Sequence, residues 1–200
     1  MKVEAGTVTI VRISDLMGAP YNLDPIRVTL DDIEPGKGRI NIECWGRAWA
    51  SYWGGMGNQT IAQFFVGCHN EYLIGNLTSG QNLHGSRFSA DALQALCKKT
   101  IRGRRKGTRE AMREYDPLTE EQAAELMREV GNLHCDTEAE CWAHSALLER
   151  VFGPDGVLMA AQATEPNPEY AYLARICNAV RDALRSLEAP KAELAAGVAA

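Results

Sequence analysis

Arg39-Ile40-Asn41-Ile42-Glu43-Cys44-Trp45-Gly46-Arg47-Ala48-Trp49-Ala50-Ser51-Tyr52-Trp53-Gly54-Gly55-Met56-Gly57-Asn58-Gln59-Thr60-Ile61-Ala62-Gln63-Phe64-Phe65 is the stretch on which the fold turns. From Arg39 to Cys44 polar and apolar residues alternate, the period of a half-buried strand. Three of the four tryptophans follow at a spacing of four, Trp45, Trp49 and Trp53, with Gly46 and Gly54-Gly55 punctuating the run. On a strand an even spacing puts all three rings on one face, with Arg47 and Ser51 between them and Ala48, Ala50 and Tyr52 opposite. A helix also keeps such residues near one line, but aromatics favour a pleated surface and the glycines limit the segment to strand length. That face has two readings: core, the commoner use of large aromatics, or a surface stripe on which a partner or a base stacks.

Upstream, Thr7 to Ile13 and Pro25 to Leu30 alternate in the same way, and Glu34-Pro35-Gly36-Lys37-Gly38 is the turn between the second strand and the Arg39 segment. The expectation is an antiparallel meander of four strands. Downstream, Asn58-Gln59-Thr60 opens a helix over Ile61 to Val66, and a second short helix runs from Glu71 to Leu77. Gly54 to Asn58 sits where phosphate loops sit, but it lacks the Lys-Ser/Thr of a P-loop and reads as a tight turn.

From Ser79 to Ser86 the composition is that of a linker, and beyond it the period is helical. Ser89 caps a helix carrying Leu93, Leu96, Cys97 and Ile101; Thr119 to Gln122 and Thr137 to Glu140 are capping-box patterns. The second box predicts a helix carrying Cys141, His144, Leu148, Val151 and Phe152 up to Gly153-Pro154. The last helix has Pro168 in its first turn and an apolar stripe of Leu173, Ile176, Cys177, Val180, Leu184 and Leu187, closed by Pro190. The fold class is therefore α+β: a small antiparallel sheet covered by helices in residues 1–80, a helical segment over 87–164, a C-terminal helix over 165–190 that packs back on the first unit, and a flexible tail over 191–200.

The chain has 200 residues, 46% of them hydrophobic and 24% charged, the balance of a folded globular protein. No apolar run reaches membrane-spanning length, and the first residues lack the apolar run of a secretory signal, so the expected location is the cytoplasm of a host cell, with no membrane partner. Six scattered cysteines fit a reduced, mostly buried set. The net charge of −5 hides an island: Lys98, Lys99, Arg102, Arg104, Arg105, Lys106, Arg109 and Arg113 stand against Glu110 alone. If the Ser89 helix continues through Gly103, Lys98, Arg102, Arg105 and Arg109 line up along it and can follow a phosphate backbone; otherwise these cations pair with acidic neighbours.

Four residues have zinc-ligand chemistry within a short span, His134, Cys135, Cys141 and His144, although their spacing matches no standard finger. No nucleophile elbow or cysteine-protease context is present, so no catalytic residue is assigned.

The N-terminal pattern, Leu23-Asp24-Pro25-Ile26-Arg27-Val28, Pro35-Gly36-Lys37-Gly38-Arg39, Cys44-Trp45-Gly46-Arg47-Ala48-Trp49 and Tyr52-Trp53-Gly54-Gly55-Met56-Gly57, with Tyr72-Leu73 and the closing Tyr172-Leu173-Ala174-Arg175-Ile176, resembles a group of small proteins encoded by tailed bacteriophages and prophages. The resemblance covers roughly residues 7–79 and 168–187 and leaves out the middle. It implies a phage accessory role, and with it a partner that is a host or phage protein complex, blocked by occupancy, as an inhibitor of a host defence or nucleic-acid-processing machine would block it. Direct nucleic-acid binding through 98–113 is the alternative, a metal-dependent enzyme the third reading, and a homodimer through the sheet or the last helix a further candidate.

Overall fold

The structure, a computed structural model, describes every residue except Glu4, Gly80, Asn82, 109–115 and 197–200, and for 188–196 the backbone alone. It divides into two compact units, Met1–His84 with Pro168–Ala200, and Gly85–Asn167.

The first unit is built on a four-stranded antiparallel sheet of β1 (Thr9–Ile13), β2 (Ile26–Glu34), β3 (Lys37–Cys44) and β4 (Arg47–Trp53), in that spatial order. The hairpin joining β2 to β3 is tighter than the sequence predicts. The strands run on past Leu30 and start again at Lys37, leaving Pro35-Gly36 alone in the turn, with a bulge at Ile33. Proline fixes φ at the first turn position, and Gly36 takes φ 74°, which only glycine adopts without strain.

One face of the sheet is covered and the other is open. Ile26, Val28, Leu30, Ile40, Ile42, Cys44, Trp49 and Trp53 point inward and are buried. Against them pack α1 (Ile61–Gly67) through Ile61 and Phe65, α2 (Asn70–Leu77) through Leu73, Ile74 and Leu77, and the last helix through Leu173, Ile176, Cys177, Val180 and Leu184. Each fully buried Leu or Ile contributes about 1.5–3 kcal/mol, so this apolar layer supplies most of the gross stabilisation. Helix α1 begins with a closed capping box between Thr60 and Gln63, and the Asp32 carboxylate accepts from the Ile61 N–H at 2.7 Å. These bonds use the amides that a phosphate loop would offer, and Met56, buried within the preceding glycine run, donates its N–H to the Gly36 carbonyl at 2.8 Å. The run is a packing turn.

The second unit is mostly helical. A short antiparallel pair, β5 (Ser86–Phe88) with β6 (Thr164–Pro166), joins its two ends, reinforced by the Asn167 N–H donating to Gly85 O at 2.9 Å. The stretch that the sequence assigns to a linker thus ends in the first residue of a strand, Ser86. Between the two strands come α3 (Ala90–Lys106), α4 (Glu120–Gly131), a 3₁₀ segment (Glu138–His144), α5 (Ser145–Phe152) and α6 (Gly156–Ala160). Ser89 and Thr119 cap as expected. The Thr137 box does not form; the Glu140 carboxylate reaches back instead to the Asp136 N–H at 2.8 Å, and the chain coils as 3₁₀ before α5 begins. A Cβ at Gly156 would lie 2.5 Å from the Leu148 carbonyl, so this glycine lets α6 approach the backbone of α5.

Helix α7 (Pro168–Ala196) belongs to the first unit and runs beyond Pro190, where the sequence reading ends it. Proline removes one backbone donor, and Lys191, Ala192, Glu193, Leu194, Ala195 and Ala196 after it are all good helix formers.

Candidate functional site

The three tryptophans do not share one strand. β3 ends at Cys44 and β4 begins at Arg47, so Trp45-Gly46 is a two-residue turn, and both of its residues have positive φ, 51° and 69°. This is the I′ geometry that suits the twist of a tight hairpin, normally built from Asn-Gly or Asp-Gly. A β-carbon in that region costs about 1–2 kcal/mol, and a large side chain recovers it only by packing. Trp45 does not pack: it is 74% exposed, against 8% for Trp49 and 6% for Trp53. Trp49 and Trp53 are core, lying 6.2 Å from Tyr172 and 5.5 Å from Phe64 between ring centroids. Trp45 is surface.

Two hollows flank the tip. One of about 320 Å³ is lined by Pro25, Arg27, Glu43, Trp45, Gly46 and Arg47; the other, about 400 Å³, by Arg47, Ala48, Trp49, Leu77, Glu169 and Leu173 among others. Their cations are neutralised. Arg27 pairs with Glu43 at 3.3 Å, and Arg47 pairs with Glu169 while its guanidinium lies 5.1 Å from the Trp49 ring centroid. The tip therefore presents a large aromatic ring among balanced charges.

The basic island resolves into unequal parts. α3 does continue through Gly103 and closes at Gly107, with φ 62°. Lys98, Lys99, Arg102, Arg105 and Lys106 lie on its outer side, Lys98 donating to Gln94 and Arg105 pairing with Glu120 at 3.1 Å. Among the described residues Lys99, Arg102 and Lys106 form no ion pair. Arg104 is a correction to the predicted patch: only 8% exposed, it faces the core. Its Nε donates to the Asp116 carbonyl at 3.0 Å, and its Nη1 to the Arg150 and Val151 carbonyls at 2.6 and 2.8 Å. Those two carbonyls end α5, and the residue four beyond Arg150 is Pro154, which has no N–H to offer. Arg104 supplies the missing donors. Arg109 and Arg113 lie outside the described residues.

Of the four proposed zinc ligands only the two cysteines are neighbours: Cys135 and Cys141 are buried beside each other, whereas His134 is exposed and His144 is half-buried. Among the described residues no group of three or more His, Cys, Asp or Glu is placed to hold a metal ion. Burial pushes the Cys97 and Cys135 thiols up to about 12, with nearby cysteines adding to the shift, and it raises Cys141 as well.

One comparison decides what the chain is related to: Phage_phiTE_072, a phage family, matches over residues 1–186. The chain belongs to this phage family. The match runs through the middle segment, which the resemblance drawn from the sequence alone leaves out. No curated protein and no solved structure matches the chain. Among the described residues of this phage-family protein, no helix is long and apolar enough to cross a membrane.

Two placements in the phage-family chain, those of Trp45 and Arg104, escaped sequence reasoning, and both had a signal. The alternation that stops at Cys44 and restarts at Arg47, with glycine second in the gap, marks Trp45-Gly46 as a hairpin turn. Arg104 falls on the stripe of Leu93, Cys97 and Ile101, three residues after the last of them, so helical spacing alone points it inward.

Proposed function

We propose that this phage-family protein is an accessory binding protein that occupies a surface of a host or viral macromolecule, blocking a host defence or nucleic-acid-processing complex by that occupancy. The observation that carries the reading is Trp45. A bulky side chain is held in a conformation that costs free energy and is exposed to solvent, and nothing in the fold repays that cost. A tryptophan projecting from a rigid hairpin and rimmed by paired charges has the makeup of an interface hot spot.

Replacing Trp45 by Asn, the residue I′ turns favour, tests this in two directions. Stability is expected to rise by about 1 kcal/mol, because Asn tolerates positive φ, while retention of the partner in a nuclease-treated host lysate falls at least tenfold. A variant that is stabilised and still captures the same partner removes Trp45 from the site.

A specific observation favours a second reading. Lys99, Arg102 and Lys106 stand on one side of α3 with no carboxylate bonded to them among the described residues, a line able to follow a nucleic-acid backbone. On this reading, affinity for a DNA or RNA oligonucleotide falls with salt with a log–log slope of about −2 to −3, and the triple reversal K99E, R102E, K106E abolishes it. Salt-independent binding, or binding that survives the reversal, rejects it.

A further inference from the structure

We propose that β4 is a dimerisation edge, pairing antiparallel with β4 of a second copy about a two-fold axis at Ala50 to form one continuous eight-stranded sheet. β4 is the last strand of its sheet and pairs only with β3. The Trp45-Gly46 turn closes on Cys44 and Arg47 as a hydrogen-bonded pair, and in an antiparallel ladder such pairs alternate. Trp49 and Ser51 therefore bond to β3, while the N–H and C=O groups of Ala48, Ala50 and Tyr52 point away from it. Among the described residues no backbone group outside the sheet bonds to them.

Natural edges of this length are normally defended by lysine, proline, a bulge or an inward charge. From Ala48 to Trp53 this edge has none of them: its ladder with β3 is regular, and Ala48, Ala50 and Tyr52 are exposed. The sequence along it is also self-complementary in size. With Ala50 against its own copy, Tyr52 stands opposite the partner's Ala48 on the open face, and Trp49 opposite the partner's Ser51 on the covered face. Over 48–52 each large side chain meets a small one, and the outward-pointing backbone groups of one copy meet those of the other in register. A one-residue slip would set bonded groups against free ones and reverse the faces. This in-phase, large-to-small match is what selects a second copy over an unrelated peptide strand.

The test uses the full-length chain and the contact of residue 50 with itself. Wild type is expected to sediment at twice the chain mass of 21.9 kDa. A50K and A50E, on an exposed position of the open face, each place like charges opposite one another and are expected to sediment as single chains. An equimolar mixture of the two then returns to double mass, because the two-fold register sets Lys against Glu. Far-ultraviolet circular dichroism confirms that both variants are folded. A wild type that stays at single mass up to its solubility limit overturns the proposal and leaves the edge to a strand from a different protein. Variants that remain dimeric overturn it too, as does a mixture that fails to reassociate.

Discussion

Arg104→Met is expected to destabilise the second unit by about 3 kcal/mol, lowering its melting temperature by 10 °C or more. Methionine keeps much of the aliphatic stem and fills similar space, so what is lost is the guanidinium. Three carbonyls, on Asp116, Arg150 and Val151, then lose a charged donor in an environment with little water to replace it. A buried acceptor left without a partner costs about 1–3 kcal/mol, and partial relaxation keeps the total well below the sum of three such losses. The control is the next residue. Arg105→Met removes an exposed pair with Glu120, which is worth less than about 1 kcal/mol. Hydrogen exchange separates the two cases: amides of α3, α4 and α5 lose protection in the first variant and keep it in the second. Equal protection in both would mean that the Arg104 contacts contribute no more than a surface pair.

Gly36→Ala is expected to cost the first unit about 3 kcal/mol, by two effects that a second glycine separates. Gly36 has φ 74°, and a Cβ there would lie 1.9 Å from the Gly57 carbonyl oxygen, a backbone atom that cannot rotate away. The turn must open or the Gly54–Gly57 loop must lift, breaking the Met56 N–H bond to Gly36 O and exposing a methionine that is 4% accessible. Gly46 has nearly the same dihedral, φ 69°, but nothing within 4 Å of its would-be Cβ. Gly46→Ala should therefore cost only the conformational part, about 1 kcal/mol. Urea denaturation of both variants gives the steric part by difference; equal losses would show that the loop yields freely.

Much of the first unit was readable from local chemistry. Period-two alternation marked β2 and β3, Pro35-Gly36 marked their turn, and Thr60 opened a helix, as Thr119 did in the second unit, because each of these signals rests on residues close in sequence. What failed depended on choices that local pattern leaves open. Trp45, Trp49 and Trp53 keep strand parity whether or not a turn intervenes, so a regular spacing hid the break at Trp45-Gly46. β5 and β6 have three residues each and pair across most of the second unit, leaving no periodic signal in either. The cations of α3 form one block in sequence, yet a helix turns its residues to every side, so Arg104 lies in the core while its neighbours face water. His134 and Cys135 are adjacent, yet burial alternates from Leu133 to Asp136, so the histidine faces water while the cysteine is buried, and the four zinc-binding residue types do not assemble as one set.

The strand pair that joins the ends of the second unit has a thermodynamic consequence for the first. While Gly85 and Asn167 are held together, the first unit meets the excursion between them as a tight loop; if that unit melts, the same ends must be closed across roughly eighty disordered residues. The entropy of that closure grows with the logarithm of loop length and comes to about 2–3 kcal/mol between the two cases. Each unit thus stabilises the other by that amount through chain connectivity alone, and a lesion confined to one half will lower the melting point of both.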